Sequence, residues 1–172
     1  WLLDEIAGSP APDEALARLG DLRPPLWEQA AISSLFAEHP ATARMLVLLF
    51  ATSGALARDF ALHPELLDAL VRSDAAALRR DRAKLAEEVR TRLEGKSTED
   101  ALELLRQVKH EETLRIGLHD LAGRLDLVAS GEELTTTAEV LLAETLALAR
   151  AELAERYGEP ENARLAVLGL GT

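Results

Sequence analysis

Between residues 40 and 52 the chain is apolar on nearly every side, with Met45-Leu46-Val47-Leu48-Leu49-Phe50-Ala51 at its centre. A helix of that kind belongs in the middle of a core, and Pro40 fits its first turn. The same pattern of helix and stop recurs on both sides. Residues 11–19 form a short helix halted by Gly20, and Pro24-Pro25 opens a helix over 26–38 with Ile32, Leu35 and Phe36 on one side. Ser53 caps a helix through Leu62, and His63-Pro64 breaks the chain before a helix at 65–72, because proline disfavours helical geometry in the residue before it. A charged helix spans 74–95, with leucines at Leu78, Leu85 and Leu93. Ser97 opens a helix to about residue 122, with Asp100 at the acidic position of a capping box and Gly123 as the stop. Ser130-Gly-Glu-Glu133 matches the capping-box template and starts a last helix ending at Tyr157-Gly158. On it Ala138, Leu141, Leu142, Thr145, Leu146, Ala149 and Leu153 form one stripe at helical spacing, predicting the face turned to the core.

The helix over 97–122 carries the most unusual polar pattern. Ala101, Leu104, Leu105, Val108, Ile116 and Ala122 share a face, and Glu111, Glu112, Arg115 and His119 fall on that face too. Glu111 and Glu112 lie four and three residues before Arg115, and His119 lies four after it, so these side chains can meet. The cluster reads either as a polar site or as a partly buried ion pair holding helices in register. The structural reading is preferred, because Glu–Arg pairs on helices commonly serve packing.

Other chemistry finds little support. His110-Glu111-Glu112-Thr113-Leu114 resembles the helical zinc-protease motif, but Leu114 stands where the second histidine belongs. His39, His63 and His119 show no ligand spacing, so no metal site is expected, and His39 and His63 sit at helix ends before prolines. Ser33, Ser34, Ser53, Ser73, Ser97 and Ser130 lie in helix starts, turns or helix faces without a nucleophile elbow. Carboxylate pairs such as Glu87-Glu88 and Glu132-Glu133 suit a solvated acidic face.

Composition supports a helical bundle. Aromatic residues are only 3% of the chain, and Leu and Ala, good helix formers, dominate. Thirty acidic residues against 19 basic ones give a net charge of −11, which repels phosphate backbones and argues against nucleic acid as a partner. Arg79-Arg80-Asp81-Arg82-Ala83-Lys84 is too short and too interrupted to reverse that field. Without cysteine there is no disulfide framework and no thiolate site. No apolar run is long enough to span a bilayer, and Trp1-Leu2-Leu3-Asp4-Glu5 lacks the basic start of a signal peptide, so no membrane association and a cytoplasmic setting are expected.

The end of the chain changes register. Leu165-Ala166-Val167-Leu168 followed by Gly169-Leu170-Gly171 reads as a buried strand entering a turn. A lone strand needs a sheet, and no other segment supplies one. The expected organisation is therefore an all-α multi-helix bundle over residues 1–160, followed at 161–172 by the first strand and glycine turn of a truncated α/β domain.

Three segments together resemble one family. Residues 49–68, from Leu49-Phe50-Ala51-Thr52-Ser53-Gly54 to His63-Pro64-Glu65-Leu66-Leu67-Asp68, are similar to a characteristic segment of the bifunctional glutamine synthetase adenylyltransferase/adenylyl-removing enzyme. Leu105-Arg106, Leu114-Arg115-Ile116 and Asp120-Leu121 resemble its arginine-rich helix. Ala154-Glu155-Arg156-Tyr157-Gly158, with residues 165–171, resembles its entry into a nucleotidyltransferase domain. The resemblance implies an enzyme that transfers AMP from ATP to a tyrosine of glutamine synthetase and removes it by phosphorolysis. It also implies magnesium, regulation by PII signalling proteins and glutamine, and neighbouring nucleotidyltransferase domains in cis.

Within that family the chain resembles the central helical segment before the C-terminal transferase, or else the equivalent stretch near the N-terminus. Gly169 and Gly171 match the opening nucleotide-binding glycines. Thr172, however, stands where the family has lysine, and the metal carboxylates have no counterpart, so the segment is expected to be catalytically inert. The role implied is to couple regulator binding to nucleotidyl transfer. The alternatives are a purely structural spacer between catalytic domains and an unrelated helical protein-interaction module.

Overall fold

Prolines and short polar side chains set where the helices start. The computed structural model describes residues 2–21, 38–63, 66, 78–158 and 165–167, and helix is the regular element among them. They form α1 (Leu2–Ala7), α2 (Pro12–Gly20), α3 (Pro40–Thr52), α4 (Gly54–Leu62), α5 (Arg82–Leu93), α6 (Thr98–Leu121) and α7 (Leu127–Tyr157). Pro12 and Pro40 occupy the first turns of α2 and α3, where a missing N–H is no loss. The Ser53 hydroxyl accepts from the Leu56 N–H at 3.3 Å, and Ser97 accepts from the Asp100 N–H at 3.2 Å. The Ser97 hydroxyl also donates to the Asp100 carboxylate at 2.7 Å, closing the expected box side chain to side chain.

The described residues bear out an all-α bundle. Its first core gathers Ile6, Ala15 and Leu19 from α1 and α2 around Leu46, Leu49 and Phe50 of α3, with Phe60 of α4. Phe50 and Phe60 meet edge to face with centroids 6.0 Å apart. A second core joins Leu85 and Val89 of α5, Leu104, Leu105 and Val108 of α6, and Val140 of α7. Helix α6 belongs to both, because Leu114 and Leu118 in its C-terminal half enter the first core. Like α3 it is apolar on more than one side, the pattern of a helix surrounded by others. It ends in a Schellman motif: Arg124 N–H donates to His119 O at 2.8 Å and Gly123 N–H to Asp120 O at 2.9 Å. Gly123 supplies the required left-handed backbone, with φ 66°.

Several boundaries differ from the sequence expectation. The charged helix begins at Arg82 rather than near residue 74, since Asp81 caps it through the Lys84 N–H at 3.0 Å. Arg80 lies outside it, its own N–H held by Glu133 at 3.0 Å. The last helix begins at Leu127, where Asp126 accepts from the Ala129 N–H at 2.8 Å, so Ser130 and Glu133 stand inside the helix instead of capping it. Its predicted apolar stripe faces the core only in part, through Leu141, which packs against the second core. Ala129, Ser130, Glu133, Thr137, Val140 and Glu144 are buried, whereas Leu142 and Leu153 are 51% and 56% exposed. The reason is chemical: α7 packs on helices carrying arginines, and Glu133 and Glu144 meet Arg115 and Arg90 there.

The helices expected at 26–38 and 65–72 lie outside the described residues apart from positions 38 and 66. Of the expected C-terminal strand, residues 165–167 are described and carry no regular structure, with Leu165 and Val167 exposed. Gly169 and Gly171 lie outside the described residues. No single described helix is long and apolar enough to cross a membrane. The α3–α4 pair passes on composition only when joined, but it bends by 120° and its apolar side chains form the first core.

Candidate functional site

Helix α6 presents polar groups on two opposite sides. Toward α5 and α7 it places Glu112 and Arg115, whose side chains are 4% and 3% exposed. An i, i+3 spacing sets them on one face, and Arg115 Nε donates to Glu112 at 2.8 Å. From α7, Glu133 accepts from Arg115 Nη2 at 2.7 Å, and the Leu78 carbonyl accepts from Nη1 at 3.1 Å. Arg80 closes the network: its guanidinium donates to Glu112 at 2.8 and 3.2 Å and to Glu88 at 3.0 Å. Burial by itself would lower the Arg80 pKa, but Glu112 and Glu88 outweigh it and hold the group above its ordinary value.

The expected cluster is therefore only partly assembled. Glu112 meets Arg115, but Glu111 turns instead to Arg92 of α5, at 2.9 and 3.3 Å, and to Gln107 at 3.0 Å. His119 is buried a turn beyond Arg115. Arg115 donates from all three guanidinium nitrogens to protein oxygens and is buried, so its charge is engaged inside the protein. That geometry is a lock between helices. Glu133, Arg80, Glu88 and Arg92 escaped sequence reasoning, since their partners lie 8 to 53 residues away, beyond the reach of one helical turn.

On the opposite side of α6, His110 faces the end of α4. Two positions along a helix are about 200° round the axis, which separates His110 from Glu112. His110 Nδ1 lies 3.0 Å from Asp59 Oδ2, and its ring stacks on His63 with centroids 4.1 Å apart and planes at 28°. One potential ligand atom from each of Asp59, His63 and His110 falls within 4.8 Å of the others. The Asp59–His63 spacing of four is legible in the sequence; the convergence with His110, 47 positions on, is not.

Among the described residues this is the one grouping of three such side chains. Two imidazoles and one carboxylate do not suit magnesium, which takes oxygen ligands and substrate phosphates. This trio therefore offers no fit for a magnesium ion.

A family model described as glutamate-ammonia ligase adenylyltransferase matches residues 43–172. The bifunctional glutamine synthetase adenylyltransferase/adenylyl-removing enzyme of Nitrosococcus oceani is 34% identical over 183 residues, covering 99% of this chain and 19% of its own length. The proteins of the same description from Hahella chejuensis and Pseudomonas aeruginosa are 31% and 33% identical, over 99% and 92% of this chain. The chain thus spans about a fifth of the length of these relatives. No solved structure matches it.

Proposed function

Because the chain belongs to the glutamate-ammonia ligase adenylyltransferase family, we propose that it is a helical coupling segment of an enzyme that adenylylates and deadenylylates glutamine synthetase. In this reading the segment has no catalytic residues of its own. ATP and magnesium bind on neighbouring nucleotidyltransferase domains of a longer cytoplasmic protein. The segment relays a PII or glutamine signal to them.

The observation that carries the reading is the uncovered apolar face of α7. Leu134, Leu142 and Leu153 are 47%, 51% and 56% exposed along one side of a 31-residue helix. At 1.5 Å per residue that helix is about 46 Å long, so the face is extended. Leucines left in solvent along one side of a helix supply apolar surface on which other protein can dock. A spacer acting only by its length needs no such surface, whereas a coupling element needs one. The internal lock at Arg115 supports the same reading, since a stiff lever transmits a displacement from one end to the other.

The deciding experiment is calorimetric titration of the chain with unmodified PII protein, uridylylated PII and glutamine, each separately. Saturable binding of any one supports coupling and identifies the signal. Absence of binding to all three, by protein shown to be folded by circular dichroism, overturns it in favour of the spacer.

A further inference from the structure

We propose that Asp59, His63 and His110 form a binding site for a divalent transition-metal ion of the zinc class, which fastens the end of α4 to the central helix α6.

The argument starts from how the chain presents the donors. Asp59 and His63 are four residues apart, which places them one above the other at the last turn of α4. His63 is the residue at which α4 stops, with φ −125° and ψ 71°, and its own N–H still donates to Asp59 O at 3.0 Å. The proline that follows His63 in the sequence keeps that residue out of helical geometry. The histidine is therefore held at a fixed exit from the helix. The His110 ring lies against it from inside α6, stacked at 4.1 Å. Donors come from two elements that the bundle brings together independently of any ion.

The distances fit. Zinc–nitrogen bonds of about 2.0–2.1 Å in tetrahedral geometry place two donors about 3.4 Å apart. His110 Nδ1 and Asp59 Oδ2 are already 3.0 Å apart, and the whole trio lies within 4.8 Å. The His110 and His63 rings turn out of their stack to aim a nitrogen each at the ion, which takes the place of the hydrogen bond between His110 and Asp59. Two imidazole nitrogens and one carboxylate oxygen select zinc, cobalt, nickel or copper over magnesium and calcium. Three protein ligands leave a fourth position for water. Access is open, since the His110 and Asp59 side chains are 24% and 27% exposed.

The site lies on the far side of α6 from the Arg115 lock and does not depend on the coupling role proposed above. Tag-free protein, stripped with chelator and dialysed, is titrated with zinc chloride by calorimetry, and with cobalt(II) by visible absorption. One equivalent is expected to bind, with the intense cobalt bands of tetrahedral coordination, and magnesium is expected to give no heat. His63→Ala, His110→Gln and Asp59→Asn should each weaken zinc binding about tenfold or more, while His39→Ala leaves it unchanged. Circular dichroism on the same samples separates lost ligation from lost fold. Absence of stoichiometric binding overturns the proposal. So does zinc affinity unchanged in both histidine variants, or binding of several equivalents without tetrahedral cobalt bands.

Discussion

Removing Arg115 would leave Glu112 and Glu133 buried, Glu112 with the Arg80 guanidinium and Glu133 with only the Arg80 N–H and no cation against it. Breaking a buried pair from one side typically destabilises by about 3–5 kcal/mol, because the stranded charge keeps its desolvation penalty. Arg115→Met is therefore expected to lower the unfolding free energy by about that amount, measured by urea titration. Arg82→Ala, which removes an exposed pair with Glu139, should change it by less than about 1 kcal/mol. Equal losses in the two variants would show that the network is no more than surface charge. Half of this lock was visible in the residues themselves, since Glu112 and Arg115 stand three apart on one helix. The other half was hidden, because nothing local to Glu133 or Arg80 says that the chain returns to place them against Arg115. The histidines show the same division: His63 announces a helix end through the proline after it, but not the ring that stacks on it.

Helix starts and stops were the best-read features, and the reason is that caps are local chemistry. Ser53, Ser97, Gly123 and Gly158 each act within four residues of themselves. At Gly123 an added Cβ would meet nothing within 4 Å, so replacing it tests the backbone alone. Gly123→Ala should destabilise by about 1–2 kcal/mol, the penalty of a left-handed L-residue, as measured by thermal and urea unfolding. Where two caps competed, local reading chose the wrong one. Ser130-Gly-Glu-Glu133 has the better template, but Asp126 lies four residues earlier and starts α7 first. That frees Ser130 to donate to Asp120 at 3.0 Å and Glu133 to reach Arg115. The apolar stripe on α7 fell short for a related reason. Periodicity identifies a face, not which neighbour covers it, and α5 and α6 offered arginines to the acidic face.

For the molecule as a whole, the proposed coupling role predicts that changes on that uncovered stripe separate stability from function. Leu142→Gln with Leu153→Gln removes apolar surface already in solvent, so unfolding should change by no more than about 0.5 kcal/mol. Under the coupling role proposed above, the same pair placed in a longer adenylyltransferase should blunt the response of glutamine synthetase adenylylation to PII and glutamine while leaving unstimulated activity intact. A response identical to wild type would show that the face is not used. The architecture gives this separation a basis, because α6 joins both cores and the folded bundle does not need the outer face of α7.

The residues alone sufficed for helix as the element, for most of the caps, for the central place of α3 and for the family the chain belongs to. Each of these rests on neighbours in sequence: turn chemistry, a 3.6-residue period, or a run of matching residues. Packing settled which face of α7 is buried, that Arg115 is clasped by α6 and α7 together, and that His63 and His110 touch. Such pairings join positions up to 54 residues apart. They arise because burying a charge requires an opposite charge and its hydrogen bonds in the same place, and only the folded chain brings them there.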